Sequence, residues 1–186
     1  MLTGYLLWIR WALFIFSLVL ISAVAAYYGH LFSDRTRHVL GYLGLGLIML
    51  AQYYLLAKLH PRWRWGWPVR RWLRLHMALT LSGTFLVLFH AASGRMPRGL
   101  ALMAVVVMLT TAASGITGAL LHGRALRMVR AGERGQLGED ELFFLSLTEE
   151  TFRRWREVHH PITYAFFFLV GAHLMAMVLL LGWLER

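Results

Sequence analysis

Long apolar runs, separated by short polar and basic stretches, dominate the pattern of this chain. Each run is close to the roughly 20 residues that an α-helix needs to cross a bilayer. Five can be marked, at residues 11–28, 38–59, 75–92, 99–121 and 161–183. The pattern therefore predicts an all-α protein, an integral membrane bundle of about five transmembrane helices.

Two stretches between the runs have features of their own. Residues 60–74, HPRWRWGWPVRRWLR, alternate Trp with Arg in a way that is typical of the lipid headgroup level. Residues 122–158 are the one long polar segment, which we predict to be a cytoplasmic loop with a short helix. The capping-box form of Ser146 to Glu149 predicts that this helix begins near Leu147, and Pro161 predicts a kink or a restart.

The composition supports the membrane interpretation. Hydrophobic residues make up 59% of the chain, whose mean hydropathy is +0.57, whereas soluble domains have about 45–50%. The first run lacks the short apolar core and cleavage site of a signal peptide, so we expect a retained helix. The runs take up most of the sequence, so a flavin or nucleotide domain would come from another chain. Without cysteine, any metal must rest on His or Met.

The net charge of +10 has a membrane explanation rather than a nucleic-acid one, because Lys and Arg fall at the ends of the runs. With five spans, the N-terminus and the second and fourth loops share a face that carries 14 of the 19 Lys and Arg residues. The positive-inside rule makes this face cytoplasmic and leaves the C-terminus outside. We therefore expect a multi-pass protein of a bacterial-type inner membrane, in contact with lipid and not with nucleic acid.

Four of the nine histidines form a repeated pattern. His76 and His90 on the third span are fourteen residues apart, and so are His159 and His173 on the fifth. Fourteen residues are about 40° short of four helical turns and span about 21 Å, so each pair lies on nearly one face. Because the two spans run in the same direction, His76 lies at the depth of His159, nearer the cytoplasm, and His90 at the depth of His173.

This pairing favours two haem b groups, stacked between the third and fifth spans, each with two axial imidazoles. Gly83 is seven residues from both His76 and His90, where the lack of a side chain would leave room for porphyrins. Phe166 is the matching midpoint of the fifth span. Arginines at the span ends are candidate partners for haem propionates or, equally, for lipid phosphates: Arg71, Arg74, Arg154 and Arg156 inside, Arg95 and Arg98 outside.

Two alternatives concern the histidines themselves. Each could be a polar packing residue, hydrogen-bonded to a neighbouring helix. His160 competes with His159, since it is thirteen residues from His173. An ideal helix rotates His160 about 140° away from His173 and so favours His159, although distortion at Pro161 keeps the choice open.

The segments WLRLHMALTLSGTFLVLFH, SGITGALL and WREVHHPITYAFFFLVGAH resemble the di-haem b-type membrane cytochromes. They are most similar to the ferric-reductase-like transmembrane domain of ferric reductases, NADPH oxidases and the membrane partner of methionine sulfoxide reductase. The resemblance implies that His76, His90, His159 and His173 are the axial ligands. The family often spaces its second pair by thirteen, which would select His160, and its flavin and nicotinamide domains have no counterpart here. The Pro-Glu-Trp-Tyr segment of quinol-oxidising cytochromes is also not found in the sequence.

The expected function is that of a membrane electron-transfer subunit. Electrons would pass from a quinone pool or a cytoplasmic donor to a partner redox protein, such as a c-type cytochrome, an iron–sulfur subunit or a flavoprotein. Quinone is a candidate second cofactor with no residue assigned to it. The alternatives are a haemless anchor or assembly subunit and a small transporter, although the repeats and interrupted spans of transporters are not evident.

Overall fold

The computed structural model describes residues 2–93, 97–133 and 139–184. Within these ranges the chain is helical and contains no strand. The α-helices are α1 (Leu2–Tyr28), α2 (Asp34–Ala51), α3 (Tyr53–Leu59), α4 (Val69–Ala92), α5 (Leu100–Glu133) and α6 (Glu139–Leu184), with short 3-10 turns at Gly29–Leu31 and Pro61–Arg64.

Five helical segments of the described chain are long and apolar enough to cross a membrane: Trp11–Leu31, Asp34–Leu59, Val69–Ala92, Leu100–Gly123 and Glu150–Leu179. They correspond to the five apolar runs, so the all-helical, five-span prediction is confirmed. Their outward faces carry large apolar side chains; Phe168 is 75% exposed and Val178 67% exposed. Exposed apolar surface on this scale is expected where a protein meets lipid.

The structure differs from the expected loop at residues 122–158. Helix α5 continues to Glu133 and α6 begins at Glu139, so the described residues on both sides of 134–138 are helical. The capping-box residues Ser146 and Glu149 therefore lie inside a helix, because the good helix formers upstream of them carry α6 back by two turns. The predicted propionate partner Arg95 lies outside the described residues.

Pro161 does not end or restart the helix. The chain is helical on both sides of it, and α6 is one helix of 46 residues. Thr163, two residues on, donates a hydrogen bond of 2.8 Å from its hydroxyl to the carbonyl of His159.

The chain has two compact units, Met1–Val105 and Val106–Arg186. In the first unit, α4 packs along the length of α2 and, less extensively, against α1. Helix α2 begins where the hydroxyl of Ser33 accepts a hydrogen bond of 3.2 Å from the Thr36 amide. Arg37 then donates to the carbonyl of Ser93 at 2.8 Å, which ties the start of α2 to the end of α4.

Aromatic rings join the opposite end of α4 to α3 and the Trp-rich stretch. Trp72 is 5% exposed, and its ring centroid is 5.0 Å from that of Tyr53 and 5.4 Å from that of Trp67. Trp65 also contacts this cluster and has a left-handed backbone with φ of 46°. Exposed rings around one buried indole are typical of a segment at the headgroup level.

Candidate functional site

The site in the first unit is built where α2 and α4 cross, at two glycines. A Cβ atom on Gly83 would lie 2.6 Å from the carbonyl oxygen of Gly44, and one on Gly44 would lie 2.8 Å from that of Gly83. No side chain fits at either position without movement of the backbone. The structure thus gives Gly83 a role in helix packing, while its expected role beside a porphyrin stays a prediction.

His90 lies against the start of α2. Its Nδ1 atom is 2.9 Å from the carbonyl oxygen of Arg37. A Cβ on Gly41 would lie 2.9 Å from Cγ of His90, so this glycine makes room for the imidazole. The ring of His38 is 5.5 Å away, centroid to centroid.

His76 lies against the end of α2 in the same manner. Its Nδ1 atom is 2.9 Å from the carbonyl oxygen of Ala51, and its ring centroid is 5.2 Å from that of Tyr54. Helix α2 ends at Ala51, and the amide of Leu55 donates to Gln52 at 2.9 Å. A regular helix would direct that amide to Ala51, so the break at Gln52 leaves the Ala51 carbonyl available to His76.

These contacts form a regular series, which we call the α2–α4 ladder: the carbonyl of Arg37 to His90, Gly44 to Gly83, and the carbonyl of Ala51 to His76. Successive members are seven residues apart on both helices, and their residue numbers increase along α2 while they decrease along α4. The same face of α4 therefore presents both histidines, and α2 supplies one acceptor to each.

His159 has a comparable setting in the second unit. Its Nδ1 atom is 3.0 Å from the hydroxyl oxygen of Ser114 on α5. Its ring stacks on that of Trp155 at 4.7 Å with an angle of 22° between the planes. The indole nitrogen of Trp155 donates to the carbonyl of the same serine at 2.9 Å, and Gly118 lies against the indole, where a Cβ would clash.

The other predicted residues of α6 differ in their exposure. His160 is exposed and its ring is 6.3 Å from that of His159. His173 is half-buried on α6, and Phe166, midway between His159 and His173, is only 3% exposed. The structure brings His159 against α5 and leaves the choice between His159 and His160 as a prediction.

The arginines expected to meet propionates have different surroundings. Arg74 and Arg71 are exposed near the start of α4. Arg154 is paired with Glu150 at 2.7 Å, and the guanidinium of Arg156 lies 5.4 Å from the centroid of the Phe152 ring. Arg74 therefore remains a candidate for an anionic partner, whereas Arg154 already has a carboxylate beside it.

Sequence reasoning missed the part that α2 plays, because backbone carbonyls carry no residue signature. The spacing of Gly41 and Gly44 in GYLGLGL was the available signal, since small residues one turn apart mark a close helix contact. Ser114 and Trp155 were also missed.

Within the part of the chain that the structure describes, no three His, Asp or Glu side chains group as they would around a metal ion. Bis-histidine haem ligation takes only two side chains for each iron, so this finding concerns other kinds of metal site. Comparison of the chain with protein-family models, with curated proteins and with solved structures found no match.

Proposed function

We propose that this chain is a membrane electron-transfer subunit that holds two b-type haems through His76 with His159 and His90 with His173. The observation that carries the proposal is the α2–α4 ladder, in which both α4 histidines hold the same orientation toward α2. The proposal extends the resemblance to the di-haem cytochromes of the ferric-reductase-like type.

The chemistry of the hydrogen bonds fits haem. A backbone carbonyl only accepts, so a neutral imidazole whose Nδ1 lies on one must carry its proton there. The lone pair is then on Nε2, which is the nitrogen that would bind iron. Histidine ligands are commonly oriented in this way by an acceptor on the other ring nitrogen.

Spacing along α4 suits transfer across a membrane. His76 and His90 are separated by about 21 Å along the helix axis, at about 1.5 Å for each residue. When bound, haem supplies one-electron transfer. His76, His159, His90 and His173 would hold the two haems through their imidazoles, and apolar side chains around them would keep lipid and water away.

The orientation of the chain follows from the positive-inside rule in this proposal. The basic face would lie at the cytoplasmic side of an inner membrane, and electrons would leave at the face of His90 and His173. A quinone or a cytoplasmic protein would be the donor. A c-type cytochrome, an iron–sulfur subunit or a flavoprotein would be the partner.

A haemless anchor or assembly subunit is the second candidate. Its supporting observation is that His76, His90 and His159 already contact protein acceptors, as polar packing residues do. The two functions differ in one measurable property, which is the binding of haem.

Ligand variants test the proposal. The full chain is expressed with a supply of haem, purified into nanodiscs and measured by dithionite-reduced minus oxidised spectra. We expect His76→Ala and His90→Ala each to lose about half of the b-type signal, since each removes one ligand of one haem. His60→Ala is the matched control, because His60 is exposed and outside the ladder. Equal b-type signals in the wild type and in all three variants would overturn the ligand assignment.

A further inference from the structure

We infer that α2 is the positioning element for both α4 ligands and that it sets the electronic character of each haem separately. The inference rests on the proposed function and adds two residues to it. Gly41 would control the outer haem through His90, and Gln52 would control the inner haem through His76.

At the outer haem, the positioning role of Gly41 follows from the lack of space around His90. Because a Cβ on Gly41 would lie 2.9 Å from Cγ of His90, only glycine at this position lets the ring approach α2. The approach brings Nδ1 to 2.9 Å from the carbonyl of Arg37. A residue larger than glycine would push the ring away and lengthen this hydrogen bond.

At the inner haem, the positioning role of Gln52 follows from the break in the second span. The side-chain amide of Gln52 donates a hydrogen bond to the carbonyl of Ile48 at 3.2 Å. The backbone carbonyl of Gln52 accepts a hydrogen bond from the amide of Leu55. Both bonds stabilise the end of α2 at Ala51. The amide of Gln52 bonds the carbonyls of Met49 and Leu50, so its side chain replaces it at Ile48. Without that side chain, as in Gln52→Leu, the carbonyl of Ile48 would take back the Gln52 amide, as in a regular helix, and the Ala51 carbonyl would return to Leu55 and away from His76.

Both hydrogen bonds have the same expected effect on iron. An Nδ1–H group that donates to a carbonyl makes the imidazole a stronger electron donor through Nε2. A stronger donor stabilises ferric iron and lowers the reduction potential. Loss of one hydrogen bond should therefore raise the potential of one haem and leave that of the other unchanged.

The experiment compares Gly41→Ala and Gln52→Leu with Gly46→Ala. Gly46 is the matched control, because it lies on the same helix and a Cβ there would meet nothing within 4 Å. Each protein is titrated electrochemically while the low-spin ferric signals are followed by electron paramagnetic resonance. The two signals are assigned with His76→Ala and His90→Ala, each of which removes one of them.

We expect Gly41→Ala to raise the potential and shift the signal of the outer haem alone, and Gln52→Leu to do the same for the inner haem alone. Loss of only the corresponding haem would also support the inference. Unchanged potentials, or loss of both haems together in either variant, would overturn the inference while leaving the proposed function standing. Wild-type protein without haem would overturn both.

Discussion

Gly83 allows the packing of α2 against α4 to be tested by one added methyl group. In Gly83→Ala the new Cβ would lie 2.6 Å from the Gly44 carbonyl oxygen and 2.7 Å from Cγ1 of Ile48. Ordinary contacts of a Cβ begin at 3.4 Å, so the helices must separate by about 0.8 Å at their crossing. The neighbours include backbone, which cannot rotate away as the end of a side chain can.

Overpacking of this kind costs about 1–3 kcal/mol. Replacement of glycine by alanine also stabilises a helix by about 1 kcal/mol. Gly46→Ala has this stabilisation without the close contact, since a Cβ there would meet nothing within 4 Å. The difference between the two variants therefore isolates the crossing, and we expect Gly83→Ala to be the less stable by about 1–3 kcal/mol.

The assay is unfolding of the purified chain by SDS in mixed micelles, followed by far-ultraviolet circular dichroism. Gly44→Ala is the mirror variant, since its Cβ would lie 2.8 Å from the carbonyl of Gly83. We expect it to be destabilised to a similar degree. Equal midpoints for Gly83→Ala and Gly46→Ala would refute the described crossing. Loss of haem in Gly83→Ala but not in Gly44→Ala would favour the porphyrin-facing role of Gly83.

Three further tests address other parts of the chain. With His159 as the ligand, Ser114→Ala should weaken haem binding at the inner site, because it removes the hydroxyl beside Nδ1 of His159. His160→Ala should retain both haems. Two haems in His159→Ala but only one in His160→Ala, measured by haem content, would select His160 as the ligand. Thr84→Val should be neutral or stabilising in SDS unfolding, because its buried hydroxyl has no hydrogen-bond partner among the described residues; a loss above about 1 kcal/mol would contradict this. Trp72→Ala should lower stability by about 3–5 kcal/mol, since its ring is the buried centre of an aromatic cluster; a change within about 0.5 kcal/mol would count against that packing.

Hydropathy located the spans because a helix in lipid pairs its backbone polar groups by internal hydrogen bonds and carries apolar side chains over its whole length. It did not locate their ends. The second span was expected from residue 38, but Ser33 caps a helix that begins at Asp34, one turn earlier. The break at Gln52 was also missed, because a single polar residue scarcely changes the average of a long apolar run.

Periodicity placed His76 and His90 on one face of α4, as fourteen-residue spacing requires. It could not reveal what that face meets, because the acceptors are backbone carbonyls of α2, which any residue carries. The helical extension of α5 and α6 into residues 122–133 and 139–158 escaped the sequence for another reason. Charged residues between two apolar runs predict a loop, although Glu, Arg and Leu are also strong helix formers.

The proposed binding of two haems by this chain can be tested by counting them. The 186-residue chain, expressed with a supply of haem and purified into nanodiscs, is assayed for haem b by the pyridine haemochrome method and for protein by amino-acid analysis. We expect two haems for each chain, one of them lost in His76→Ala and one in His90→Ala. A wild-type protein with none, or one that keeps its full haem content in both variants, would contradict it.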